Sequence, residues 1–234
     1  MLMWSSPWGV QVEGLFYFAP AHDIPAFVAF FTTLFTAVNF VTSVEVRFYA
    51  KYRMYFSLLN GDGSLSNVER GYEDMLLVLK QELFYLAVQQ VFVTIIAVVV
   101  IGEFLNYFGL GFNSVMIGLF RILCVGYGLF AIGNSLMLFL LYFSDNFGAF
   151  ISVSAFVLVN AVGTLYVITL PEVFYGFGFL AGTLALYIVA LARLAYYTKR
   201  LDFFIFSKQP IFFTNKTGVF TSLARKFDSS QLEM

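Results

Sequence analysis

Apolar residues in this chain gather into five runs, residues 24–43, 84–101, 115–143, 148–168 and 177–194. An α-helix of about 20 residues spans the roughly 30 Å of bilayer hydrocarbon, so each run is read as one crossing. The third is longer than a bilayer needs, and its ends protrude or it tilts. Asp23 is placed to cap the first helix, with Pro25 tolerated in its first turn. Past Ser43 the pattern changes while the helix continues to about Leu59, because no Gly or Pro interrupts it. On a helical wheel Phe48, Tyr49, Tyr52, Tyr55, Phe56 and Leu59 share one face with Glu45 in its middle, while Arg47 and Lys51 point away and Arg53 flanks. A turn follows at Asn60-Gly61-Asp62-Gly63-Ser64, then a Ser66/Glu69 capping box. Val68, Tyr72, Met75, Leu76, Leu79 and Leu83 next recur at helical spacing, with Glu69, Arg70, Glu73, Asp74 and Lys80 off that face. Residues 45–82 therefore form a helical hairpin standing out of the membrane.

Composition agrees with this reading. Sixty per cent of the 234 residues are hydrophobic and 12% charged, against about 25% charged in an average soluble domain. A formal net charge of −1 argues against a nucleic-acid partner, which would need a basic patch. The fold class is all-α, a polytopic membrane bundle of five transmembrane helices. Residues 1–23, with Trp4, Trp8, Phe16, Tyr17 and Phe18, read as an interfacial segment outside the membrane, and residues 196–234 as a polar tail.

Charge orients the bundle. Of 13 Lys and Arg, none precedes the first run, five lie in the hairpin, seven in the tail counted from Arg193, and one is Arg121. The positive-inside rule puts hairpin and tail in the cytoplasm and the N-terminus outside. An odd number of crossings demands the same arrangement.

Candidate chemistry is sparse. Cys124 is the single cysteine and His22 the single histidine, so neither a zinc spacing nor a nucleophile–base pair can be assembled. The Gly-rich turn lacks the Gly-Lys-Ser/Thr and the preceding strand of a phosphate loop. No catalytic residue, metal site or cofactor is expected. The residues that stand out are polar ones in apolar runs: Gln89 and Gln90, whose adjacent amides need partners, Arg121 near a helix end, and Asn134. With Glu45, Tyr49 and Tyr52 these are the candidates for a translocation path or its mouth. Arg47, Lys51 and Arg53 are candidates for contacts with lipid headgroups or a cytoplasmic partner. Gly178 and Gly182 form a small-xxx-small pair for close helix packing.

Several motifs carry a resemblance. His22-Asp23-Ile24-Pro25-Ala26-Phe27 is followed by Glu45, Phe48-Tyr49, Lys51-Tyr52-Arg53 and the Gly-rich turn. Phe120-Arg121-Ile122-Leu123, Tyr142-Phe143, Phe174-Tyr175-Gly176-Phe177-Gly178-Phe179, and Leu201-Asp202-Phe203 with Phe206 and Gln209-Pro210 complete the set. In order and spacing this resembles the Pel exopolysaccharide export (PelG) family of the multidrug/oligosaccharidyl-lipid/polysaccharide flippase superfamily. His22 stands where that family is expected to have Tyr, and Asp202-Phe203-Phe204 where it is expected to have a Glu-Tyr-His-like run. The resemblance implies the C-terminal half of a twelve-helix flippase-like fold, since transporters are commonly two related halves; on that reading either the chain is a fragment or truncated reading frame, or a separate N-terminal half is one of its partners.

What it implies for function is a multi-pass protein of the bacterial inner membrane that moves a mostly neutral amino-sugar polymer outward. Its partners would be membrane lipids, the exopolysaccharide chain, a cytoplasmic glycosyltransferase and a cyclic-di-GMP receptor. Two other readings stay open: a membrane scaffold subunit of a polysaccharide synthase complex, and a flippase for another lipid-linked glycan. A membrane enzyme has little to work with, lacking any clustered acid pair.

Overall fold

The computed structural model describes residues 2–107, 112–201 and 203–204, with Glu45, Asp62, Gly102, Leu105 and Asn106 described by their backbone alone. The chain divides into two compact units, Met1–Thr198 and Lys199–Met234. In the second, the rings of Phe203 and Phe204 meet at 5.7 Å; residues 205–234, most of the expected tail, lie outside the described residues. The helical bundle belongs to the first.

Its helices are α1 (Pro20–Ser43), α2 (Tyr49–Ser57), α3 (Leu65–Ile96), α4 (Gly102–Tyr107), α5 (Ser114–Tyr142), α6 (Asn146–Val167) and α7 (Phe177–Lys199). A π turn, Val44–Phe48, joins α1 to α2 without a break, and a second, Ala97–Ile101, joins α3 to α4. Among the described residues, five resulting rods are long and apolar enough to cross a membrane: Pro20–Gly61, Leu65–Ile101, Ser114–Tyr142, Asn146–Val167 and Glu172–Lys199. The protein is an all-α polytopic bundle.

α5 is its axis. It is the most buried of the spanning helices, with Phe120, Cys124, Phe139 and Leu140 completely covered. It packs against α1 and α3 on one side and against α6 and α7 on the other. α6, by contrast, leaves Phe147, Phe150, Leu158, Val162 and Tyr166 open. Without water to exclude, helices in lipid associate through close approach of small residues. Gly178 and Gly182 of α7 meet α6: a Cβ on Gly178 would stand 2.5 Å from Thr164 N, and one on Gly182 2.6 Å from Asn160 Cβ. Gly176 holds φ at +100° with Leu119 crowding its α-carbon, a position only glycine fills without strain.

The hairpin forms from α2 and α3. Gly61, at φ +120°, lets the chain turn back, and Tyr55 packs on Tyr72 with ring centroids 5.9 Å apart. Beneath it an aromatic cluster seals the same end of the bundle. Phe48 lies edge-on to Phe139 at 5.0 Å, Tyr52 stacks on Phe56 at 4.5 Å, and the Tyr197 hydroxyl donates to Phe143 O at 3.1 Å.

Two local expectations are corrected. Asp23 is not the cap but lies inside α1, which starts at Pro20, and its Oδ2 accepts the Ala19 N–H at 3.0 Å. The Ser66/Glu69 capping box does not form, because α3 begins at Leu65 with Ser64 at the cap position and no side-chain cap bond. The link after residue 101 opens with α4, and α5 is then capped by Asn113, whose Oδ1 accepts Met116 N–H at 2.8 Å. The N-terminal segment contains an antiparallel ribbon, β1 (Val10–Glu13) and β2 (Phe16–Phe18), with an exposed apolar tip at Leu15. Four- and three-residue strands are too short for periodicity to register. The segment is fastened to the bundle by Trp4 Nε1–H donating to Asp23 at 3.1 Å and by Trp8 against the Tyr175 ring at 4.8 Å.

Candidate functional site

Polar side chains recur along the seam where α1, α3 and α5 meet. Nearest the hairpin, Glu82 of α3 is almost wholly buried. Its Oε1 lies 3.1 Å from Arg47 Nε, and its Oε2 accepts the Ser43 hydroxyl. A buried carboxylate needs such partners to stay charged. The π turn between α1 and α2 brings Arg47 there, where its head also lies 5.8 Å above the Tyr85 ring.

Seven residues back along α1, about 10 Å at 1.5 Å per residue, Thr36 donates to Gln90 Oε1. Gln90 is fully buried, and its Nε2 donates to Thr94 Oγ1 at 3.2 Å. A Cβ on Gly128 would come within 2.6 Å of that Thr94 oxygen, so α5 clears space for the node. Gln89 faces elsewhere. Its Oε1, like Asn39 Nδ2, is buried without a hydrogen-bond partner among the described residues.

Beside this node α1 and α5 enclose a groove of about 310 Å³, lined by Phe30, Thr33, Phe40, Phe130, Asn134 and Ser135 among others. Thr33 and Ser135 donate to carbonyls of their own helices, at 2.8 and 2.9 Å, which leaves their oxygens free to accept. Asn134 makes no hydrogen bond among the described residues. Its amide offers both a donor and an acceptor to whatever fills the groove.

The remaining candidates scatter. Tyr52 donates to Tyr142 O at 3.3 Å and belongs to the aromatic cluster; Tyr49 is exposed and stacks on Tyr52. The Glu45 side chain lies outside the described residues. Lys51 pairs with Asp74 of α3 at 2.9 Å, whereas Arg53 is exposed and forms no ion pair among the described residues. Arg121 is not in the groove but pairs with Glu103 of α4 at 2.8 Å, with nearly half its side chain exposed.

Sequence reading missed two charged sites. Glu82 escaped because it sits in phase with Met75, Leu79, Leu86 and Gln90 on the buried stripe, where a carboxylate reads as a surface residue next to Lys80. Asp145 and Arg193, 48 positions apart, form a bidentate pair at 2.6 and 3.0 Å, and Asp145 also caps α6 through Gly148 N at 3.2 Å. Nothing local to the Ser144-Asp145-Asn146 link points to a partner 48 residues away.

The bundle thus combines helices long and apolar enough to cross a membrane with an internal polar seam and a groove between α1 and α5. The family model that matches is PelG, "Putative exopolysaccharide Exporter (EPS-E)", over residues 1–206. The chain belongs to this family. Comparison with curated proteins and with solved structures returned no match.

Proposed function

We propose that this chain is an inner-membrane component of Pel-type exopolysaccharide export and that the groove between α1 and α5 is part of the polymer's path. The observation that carries the reading is Asn134, an amide without a partner among the described residues, set in a groove edged with hydroxyls and phenylalanines. Sugars have hydroxyl groups that both donate and accept, together with apolar C–H faces, and such a lining meets both. Membership of an exopolysaccharide exporter family supplies the substrate class.

In this reading the N-terminus lies outside, and the hairpin and tail lie in the cytoplasm, as the distribution of Lys and Arg favours. The synthase subunits dock on the hairpin. Arg47 and Lys51 are engaged by Glu82 and Asp74, so Arg53, with Arg70 and Lys80, forms the free basic surface there.

The test is secretion. A strain lacking the chain is expected to release no polymer, and the wild-type chain to restore it. Asn134→Leu, which fills the groove with an apolar side chain, is expected to reach the membrane at normal abundance and restore little. Unchanged secretion on deletion would overturn the function; full restoration by Asn134→Leu would overturn the path.

A further inference from the structure

A second cavity, of about 280 Å³, opens toward the N-terminal end of α1, away from the hairpin. α1 contributes His22 and Asp23, α5 contributes Tyr127, α6 contributes Asn160 and Thr164, and α7 contributes Phe179. The close approach of α6 and α7 at Gly178 and Gly182 is what sets Asn160 and Thr164 beside Phe179.

The one carboxylate in this cavity's lining is already engaged. Asp23 accepts from Trp4 Nε1 at 3.1 Å, from Ala19 N at 3.0 Å and from His22 Nδ1 at 3.0 Å. Because a carboxylate only accepts, His22 carries its proton on Nδ1, and Nε2 presents a lone pair in the neutral ring. Asn160 Oδ1 accepts the Thr164 hydroxyl at 3.3 Å, which leaves the amide NH₂. The Tyr127 ring is fixed between Phe30 at 5.8 Å and Phe179 at 4.8 Å. Its hydroxyl, the Asn160 NH₂ and His22 Nε2 have no hydrogen-bond partner among the described residues. Three unengaged polar ends thus come from three different helices to one small cavity beside aromatic rings.

We infer that this cavity is a subsite for one neutral, hydroxyl-rich sugar unit. The volume lies at the small end of ligand pockets, which start at about 300 Å³, and admits a single ring rather than a length of chain. A neutral unit fits because the Asp23 carboxylate already has its hydrogen bonds taken up by Trp4, Ala19 and His22, and a polyhydroxyl one because acceptor and donors surround the space. The inference rests on the proposed export function and adds a holding point at the bundle end opposite the hairpin.

The test uses the purified full-length chain in lipid nanodiscs, with tryptophan fluorescence as the readout, since Trp4 is bonded to Asp23 at the cavity edge. An N-acetylhexosamine tetrasaccharide is the probe, and spermidine is the charged comparator. The tetrasaccharide is expected to bind. Tyr127→Phe, which keeps the ring packing, is expected to weaken binding about five- to tenfold, the effect of one lost neutral hydrogen bond, with the unfolding temperature unchanged; Asn160→Ala is expected to weaken it similarly. Wild-type binding by Tyr127→Phe and Asn160→Ala together, or a response to spermidine and not to the sugar, would overturn the subsite. Should deletion of the chain abolish secretion while both variants still bind normally, the subsite fails and the export function stands. Should deletion leave secretion intact, the export function fails, and sugar binding lost in the variants would still support the subsite.

Discussion

Glu82 and Asp145 are both nearly buried carboxylates held by arginines, yet their environments differ in a way that sets different costs. The Arg47 head reaches solvent, with 56% of its side chain exposed, whereas Arg193 keeps only 25% exposed and grips Asp145 with two nitrogens. Breaking a fully buried pair costs about 3–5 kcal/mol because one charge is stranded; exposed pairs are worth about 1 kcal/mol or less. Arg47→Ala is therefore expected to destabilise the chain by about 2 kcal/mol, between those limits, and Glu82→Gln by about 1 kcal/mol, since an amide can still bond Ser43. Arg193→Ala should cost about 3 kcal/mol or more, as Asp145 would also lose its hold on the start of α6. Denaturant unfolding in detergent ranks the three. An Arg47→Ala variant less stable than Arg193→Ala would contradict the order.

Between helices, glycine is what the packing depends on. Substituting Gly178 by Leu drives a side chain into the Thr164 backbone and is expected to cost about 1–3 kcal/mol by overpacking, with α6 and α7 pushed apart. Gly118 of α5 has nothing within 4 Å of a built Cβ, so Gly118→Ala should be neutral or stabilise by up to about 1 kcal/mol. Thermal unfolding of the two variants side by side checks this, and equal destabilisation would mean that the α6–α7 contact is looser than drawn. The glycine spacing was readable, because small-xxx-small patterns are local in sequence. The same holds for the crossings and the hairpin, where twenty apolar residues or an i, i+4, i+7 repeat announce themselves. Glu82 with Arg47, or Asp145 with Arg193, could not be read so, because nothing in a helix's own sequence records which residue 35 or 48 places away will face it. Asn134 and Gln90 stood out as polar groups in apolar runs, but only packing separates them, Gln90 tied into Thr36 and Thr94, Asn134 left open in the groove.

For the molecule as a whole, the helix order predicts which ends lie together. The hairpin base, the α5–α6 link and the end of α7 share one end through Tyr52 to Tyr142 and Tyr72 to Thr198, at 3.3 and 2.6 Å. In a Cys124→Ala background, Lys51→Cys and Lys199→Cys are expected to react with a membrane-impermeant maleimide from the same face of the bilayer; Leu15→Cys in the ribbon is expected to react from the other. Labelling of Lys51→Cys and Lys199→Cys from opposite faces would overturn the topology. The π turn at Val44–Phe48 bears on this same end. It contains one residue more than an α-helical turn requires, and the wider turn absorbs that surplus, so the helix beyond keeps the phase of the helix before it. Excising a single residue there would rewind the segment to plain α-helix with little change in the facing of the distal half. Lys51 would stay opposite Asp74, so one codon lost at this point should leave the hairpin seated, whereas one lost from the regular helix of α1 should turn it by about 100°.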